Sequence, residues 1–153
     1  MATEPDVELS YSEREFKQAN HLWECAEKIR EMKDFDDWYV VTVFYASLHY
    51  CRALLFHRTA TPIHSEHELN GCETFEEYCT TVNPGGYVDR HSTLVDLVRR
   101  HHSKIAPGYR MLKSSANKSR YQTFDLSPEE VSKAYGNALS IRSYAKNYLE
   151  AKP

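Results

Sequence analysis

The chain has no uninterrupted apolar run approaching the roughly 18 residues that mark a membrane-spanning helix. Its longest greasy stretch, Val40 to Phe56, is broken by Thr42, Ser47, His49 and Arg52. The start, MATEPDVELS, is acidic and has no basic segment leading into an apolar one, so no secretory signal is expected and the cytoplasm is the expected location. Four cysteines, Cys25, Cys51, Cys72 and Cys79, do not make a disulfide scaffold in 153 residues. Cys25 and Cys51 lie in apolar helical patterns and read as buried thiols of a reducing compartment. The sequence also lacks G-x-G-x-x-G, a Walker phosphate loop, H-E-x-x-H, an EF-hand loop and a G-x-S-x-G elbow, which removes the common dinucleotide, P-loop, zincin, calcium and serine-hydrolase readings. Acidic runs such as DFDD are helix-capping and solvated residues rather than a glycosidase pair. No cofactor, internal repeat or long low-complexity segment is indicated.

What remains is 41% hydrophobic and 27% charged, the composition of one domain with a genuine core, spanning 1–153. The net charge of -3 is unevenly spread. Residues 1–38 hold eleven acids and five bases, whereas residues 90–121 hold eight bases and one acid. That asymmetry places a basic surface on an acidic molecule, for an anionic partner or for a second copy of the chain.

Periodicity predicts helices throughout. Ser10 and Glu13 form a capping box, followed by Phe16, Ala19, Leu22, Trp23, Ala26 and Ile29 at helical spacing, so a first helix runs from about Ser12 to Lys33. From Asp37 to about Phe56 the apolar stretch is too long for a strand, and it predicts a central helix contacted on most sides, with 38–56 in the interior and Asp36 or Asp37 as cap. Residues 57–90 form an irregular excursion with a short helix capped by Thr74 and Glu77. A further helix follows Asp89 and carries Leu94, Leu97, Val98, His101 and Ile105. Pro107 should end or kink it, leaving about one more turn and a polar connection over 114–124. In LSPEE, Ser127 caps, Pro128 takes the first helical position, Glu130 completes the box and Leu126 with Val131 makes a staple. The final stripe is Val131, Ala134, Tyr135, Ala138, Ile141, Ala145 and Tyr148, with Gly136 permitting close packing. The expected fold is all-α, four principal helices in a bundle.

FYASLHYCRALL, 44–55, resembles the second-helix pattern of the HEPN superfamily, and Leu112, the Ser119-Arg120-Tyr121 trio and the helix led by LSPEE resemble its late pattern. The resemblance covers most of 12–149 outside the excursion. It implies a four-helix bundle-like HEPN domain, a homodimer, and either a binding or regulatory module for nucleotide, RNA or protein, or a metal-independent endoribonuclease of a toxin or defence system. By the same resemblance a nucleotidyltransferase or an antitoxin is an expected partner. A purely structural helical interaction protein is the third reading, and no membrane partner is expected. Catalytic members carry R-x4-6-H before the last helix, but here Arg120 is followed by YQTFDL and no histidine falls at that distance.

Candidate residues follow from residue chemistry. Arg52 and His57 match the R-x4-H spacing, and suit phosphate stabilisation and proton transfer, yet they diverge by about 140° around an ideal helix. Tyr45, His49 and Arg52, at i, i+4 and i+7, make one polar stripe on the central helix that serves either as a seam between helices or as a face for a phosphate or nucleobase ligand. His64, His67, Cys72 and Cys79 have zinc-ligating side chains in a spacing that matches no named zinc motif, so no metal is expected. Arg99, Arg100, Lys104, Arg110, Lys118 and Arg120, together with Arg90, Lys113, His91, His101 and His102, supply a solvated or partner-facing surface, or a nucleic-acid surface with Tyr109 and Tyr121 as stacking groups.

Overall fold

The computed structural model describes residues 8–57, 71–122 and 125–150. Among them are six α-helices and no strand: α1 (Tyr11–Glu31), α2 (Asp36–Leu55), α3 (Phe75–Val82), α4 (Arg90–His101), α5 (Ala106–Tyr121) and α6 (Pro128–Leu149). The fold is an all-α bundle, and no helix among the described residues is long and apolar enough to cross a membrane.

The capping chemistry is local and falls where the sequence places it. The Ser10 hydroxyl accepts from Glu13 N–H while the Glu13 carboxylate accepts from Ser10 N–H; the side chains of Thr74, Asp89 and Ser127 cap α3, α4 and α6, but the box expected at Ser127 is not closed, because the Glu130 carboxylate accepts from Lys118 instead. The expected cap of α2 is corrected. Phe35 holds that position with no side-chain bond, and Asp36 and Asp37 sit inside the first turn, where their charge favours the positive end of the helix dipole.

Helix α2 is the axis of the molecule. Twelve of its twenty residues are buried, too many for a single stripe, so it needs neighbours on several sides. Helix α1 runs antiparallel to it, and the register is fixed by Ser12 Oγ donating to Ala53 O at 2.7 Å, Tyr50 Oη donating to Asn20 Oδ1 at 2.6 Å and the Arg30 guanidinium over the Tyr39 ring. Helices α5 and α6 cover another side and lie antiparallel to each other, with Lys118 against Glu130 at one end and Gly108 against Asn137 at the other. Eight-residue α3 is too short to persist alone. It is held by the burial of Phe75, Tyr78 and Cys79.

Three expectations change. Pro107 does not close a helix but opens α5, because a residue without an N–H is best tolerated in a first turn, where that donor has no intrahelical partner. The segment expected as a polar connection, 114–124, is helical through Tyr121. Its inward stripe of Tyr109, Leu112, Ala116 and Ser119 ends in small residues that carry little hydrophobic signal, and the Ser119 hydroxyl is satisfied by Ser115 O. Gly136 faces open space, whereas a Cβ on Gly108 would lie 3.2 Å from Asn137 Oδ1, so Gly108 is the close approach. Two burial expectations also differ: Trp38 is 60% exposed, and Cys25 is only half-buried, with its sulfur 3.8 Å from His21 Nε2.

Candidate functional site

The stripe on α2 opens onto a cavity of about 290 Å³ lined by Tyr45, Leu48, His49 and Arg52 from α2, Phe75 from α3, and Arg90, His91 and Leu94 from α4. Leu48, Phe75 and Leu94 are fully or nearly fully buried and form an apolar base, while the polar groups stand around it. The whole 57–90 excursion separates Tyr45 from His91 in the sequence. Their rings lie 6.5 Å apart because α4 packs across the middle of α2.

Two carboxylates from outside the stripe set its charges. Glu15 on α1 accepts from His49 Nδ1 and lies 3.9 Å from Arg52 Nη1. Glu76 on α3 accepts from Arg52 Nη1 at 3.1 Å and from the Tyr11 hydroxyl at 3.2 Å. Side-chain exposures of 19% for His49, 16% for Arg52 and 13% for Glu15 remove these groups from most solvent screening, so they interact more strongly than surface pairs do. The Arg52 guanidinium also lies 4.7 Å from the Phe75 ring centroid, and its Nε is buried with no hydrogen-bond partner among the described residues. Burial and then the carboxylate of Glu15 push the Tyr11 phenol well above its usual range.

On the opposite wall, His91 is half-buried, 5.8 Å from the Phe44 ring. Desolvation lowers its pKa, Lys113, Arg120 and Arg52 push in the same direction, and Asp89 opposes them. Arg90 is exposed and makes no hydrogen bond or ion pair among the described residues. Beneath the site, Tyr109 is completely buried, stacked 5.8 Å from Phe44, and its hydroxyl has no partner among the described residues.

The other sequence candidates are distributed differently. Helix α2 ends at Leu55, and His57 lines a separate cavity of about 380 Å³ with Ser10, Tyr11, Phe56 and Thr74, so Arg52 and His57 do not share one pocket. Arg99 and Arg100 are both paired with Asp96, at 2.8 and 3.0 Å, and Lys118 is 3.1 Å from Glu130. Arg120 donates to the Tyr45 hydroxyl at 2.9 Å, while Lys104 and Arg110 are exposed. Arg99, Arg100 and Lys104 lie at the end of α4 and the α4–α5 junction, whereas Lys118 and Arg120 lie beyond Arg110 on α5, about 12–15 Å further along its axis. His64 and His67 lie outside the described residues. Cys79 is buried, with burial pushing its thiol up, and Cys72 Sγ is 3.6 Å from Thr81 Oγ1. No group of three or more metal-ligating side chains occurs among the described residues.

Sequence reasoning missed Glu15 and Glu76 as partners and Trp38, and it placed Arg90 and His91 on the basic surface without joining them to the α2 stripe. For Trp38 a signal existed: Trp38, Val41 and Tyr45 fall at i, i+3 and i+7, one continuous stripe with Arg52 a further two turns along. Comparison with protein-family models, with curated proteins and with solved structures finds no match to this chain.

Proposed function

We propose that the protein is a helical binding module for the phosphate group of a nucleotide, free or at the end of an RNA strand, and that this group sits in the α2–α4 cavity. The observation that carries the reading is the make-up of that wall: two arginines, two histidines and a tyrosine converge on it, and no carboxylate lines it. Glu15 and Glu76 hold His49 and Arg52 from behind, which orients both donors while Arg90 and His91 supply the opposite side. Charge-assisted hydrogen bonds from guanidinium groups suit phosphate oxygens in number and geometry. The resemblance of 44–55 and of the late helices to HEPN domains supports a nucleotide or RNA as the phosphate carrier. A ribonuclease built on Arg52 and His57 is less favoured, since those residues line different cavities.

The test is a calorimetric titration with nucleoside monophosphates and short RNA, across a salt series. Arg90→Gln and His49→Ala should each weaken binding by about tenfold, the cost of one charge-assisted contact, and Arg90→Gln should reduce the salt slope. His57→Ala should have a smaller effect. Arg90→Gln changes an exposed residue, so its loss is read without a folding penalty. RNA cleavage in EDTA that disappears in His57→Ala and survives in His49→Ala would replace binding with catalysis at the other residue.

A further inference from the structure

A second cavity, of about 480 Å³, adjoins the first and is lined by Asp37, Trp38, Val41, Tyr45, Ser119, Arg120 and Tyr121. Tyr45 lines both, so the two cavities share this residue. The second cavity is built from flat, exposed groups. Trp38 is 60% and Tyr121 72% exposed, which is unusual for residues whose apolar area ordinarily drives them inside. Arg120 ties the wall together: its guanidinium donates to the Tyr45 hydroxyl at 2.9 Å and to the Tyr121 hydroxyl at 2.8 Å, with the cation 4.9 Å from the Tyr121 ring centroid. These bonds fix the orientation of two rings before any ligand arrives, and preorganisation of this kind lowers the ordering cost of binding.

The two cavities differ in the charged groups that line them. The first presents Arg90, with Arg52 and His49 held by Glu76 and Glu15 from outside the lining, and His91; the second presents one arginine, bonded to two phenols, and the carboxylate of Asp37. A phosphate is therefore favoured in the first and opposed in the second. The second offers aromatic faces and an acceptor for N–H groups, which is the chemistry that holds a planar heterocycle carrying an amino group.

We propose that the Trp38–Tyr121–Arg120 cavity is a nucleobase subsite, and that a bound nucleotide lies across Tyr45 with its base there and its phosphate against Arg52, Arg90 and His91. The assignment rests on the phosphate reading for the position of the phosphate, and on the aromatic cavity alone for the position of the base.

Three probes separate the two parts: AMP, ribose 5-phosphate and adenosine, titrated into the full chain by calorimetry and by tryptophan emission. Trp38 is the exposed tryptophan and Trp23 is 5% exposed, so a stacked base reports on Trp38. AMP should bind about tenfold more tightly than ribose 5-phosphate, within the range that base–aromatic stacking contributes, and should quench emission while ribose 5-phosphate does not. Trp38→Ala and Tyr121→Ala, both exposed positions, should bring the two affinities together and leave that for ribose 5-phosphate unchanged. Arg90→Gln should weaken both ligands alike. Equal affinities in the wild type without quenching would overturn the base subsite and leave the phosphate site standing. Quenching by adenosine with no binding of ribose 5-phosphate would do the reverse. An AMP preference that survives in both aromatic variants, or no binding of any of the three at millimolar concentration, would overturn the subsite.

Discussion

Tyr109 and Tyr50 are both completely buried, and the same substitution, tyrosine to phenylalanine, should change stability in opposite directions at the two positions. The Tyr50 hydroxyl donates to Asn20 Oδ1 at 2.6 Å, with Arg142 also beside it. Removing it deletes a bond between α1 and α2 that contributes about 1 kcal/mol net. The Tyr109 hydroxyl is buried with no partner among the described residues, and burial pushes its pKa well above the usual range. Its desolvation without compensation costs about 1–3 kcal/mol. Deleting the oxygen leaves a void of roughly 10–15 Å³, which costs about 0.3 kcal/mol. Tyr109→Phe should therefore stabilise the fold by about 1 kcal/mol or more, and Tyr50→Phe should destabilise it by about 1 kcal/mol. In a chain of this size each shift corresponds to roughly 2–4 °C in Tm. Urea unfolding monitored by circular dichroism reads both, provided the m-values are unchanged. Loss of 1 kcal/mol or more in Tyr109→Phe would mean that the hydroxyl has a partner, and the argument would fail.

The two α5–α6 glycines give a second paired outcome. Gly136→Ala adds a methyl in open space on a helix and should stabilise by about 0.7–1 kcal/mol, while Gly108→Ala meets Asn137 at 3.2 Å and should gain less or lose stability; equal gains in thermal melts would contradict the assigned packing. His91 supplies the pH dependence. Its folded-state pKa lies below the usual value of about 6.5, so the unfolded chain binds more protons in the window between the two, and this group's contribution to stability falls as pH drops through that window. Burial first, and then the neighbouring cations, lower that pKa; a phosphate in the cavity adds a negative charge beside His91, so His91 should take up protons on binding near pH 6, against the protons that the phosphate itself releases near its second pKa of about 6. Calorimetry in buffers of different ionisation enthalpy measures this uptake, and His91→Gln should abolish the His91 part of it.

The bundle was legible because its signals are local. Ser10 with Glu13, Thr74, Asp89 and Ser127 cap the helices that follow them, since a capping bond joins residues about three apart and needs no tertiary partner. The burial of α2 was also written in its apolar density, and Tyr45, His49 and Arg52 share a face because helix periodicity places them there. Helix α5 was hidden for an equally local reason: Ala116 and Ser119 are buried but carry little hydrophobic signal, and Pro107 permits the start of a helix as readily as it marks an end. The cavities were decided by packing alone. Nothing in the spacing of Glu15, His49, Glu76 and His91 says that four different helices bring them to one place. Whether Trp38 is core or surface depends on how far α5 extends beside α2, so its exposure follows from helix packing rather than from its place in an apolar run. Periodicity assigns a residue to a face of its own helix; the neighbour that meets that face is fixed only when the long-range contacts form.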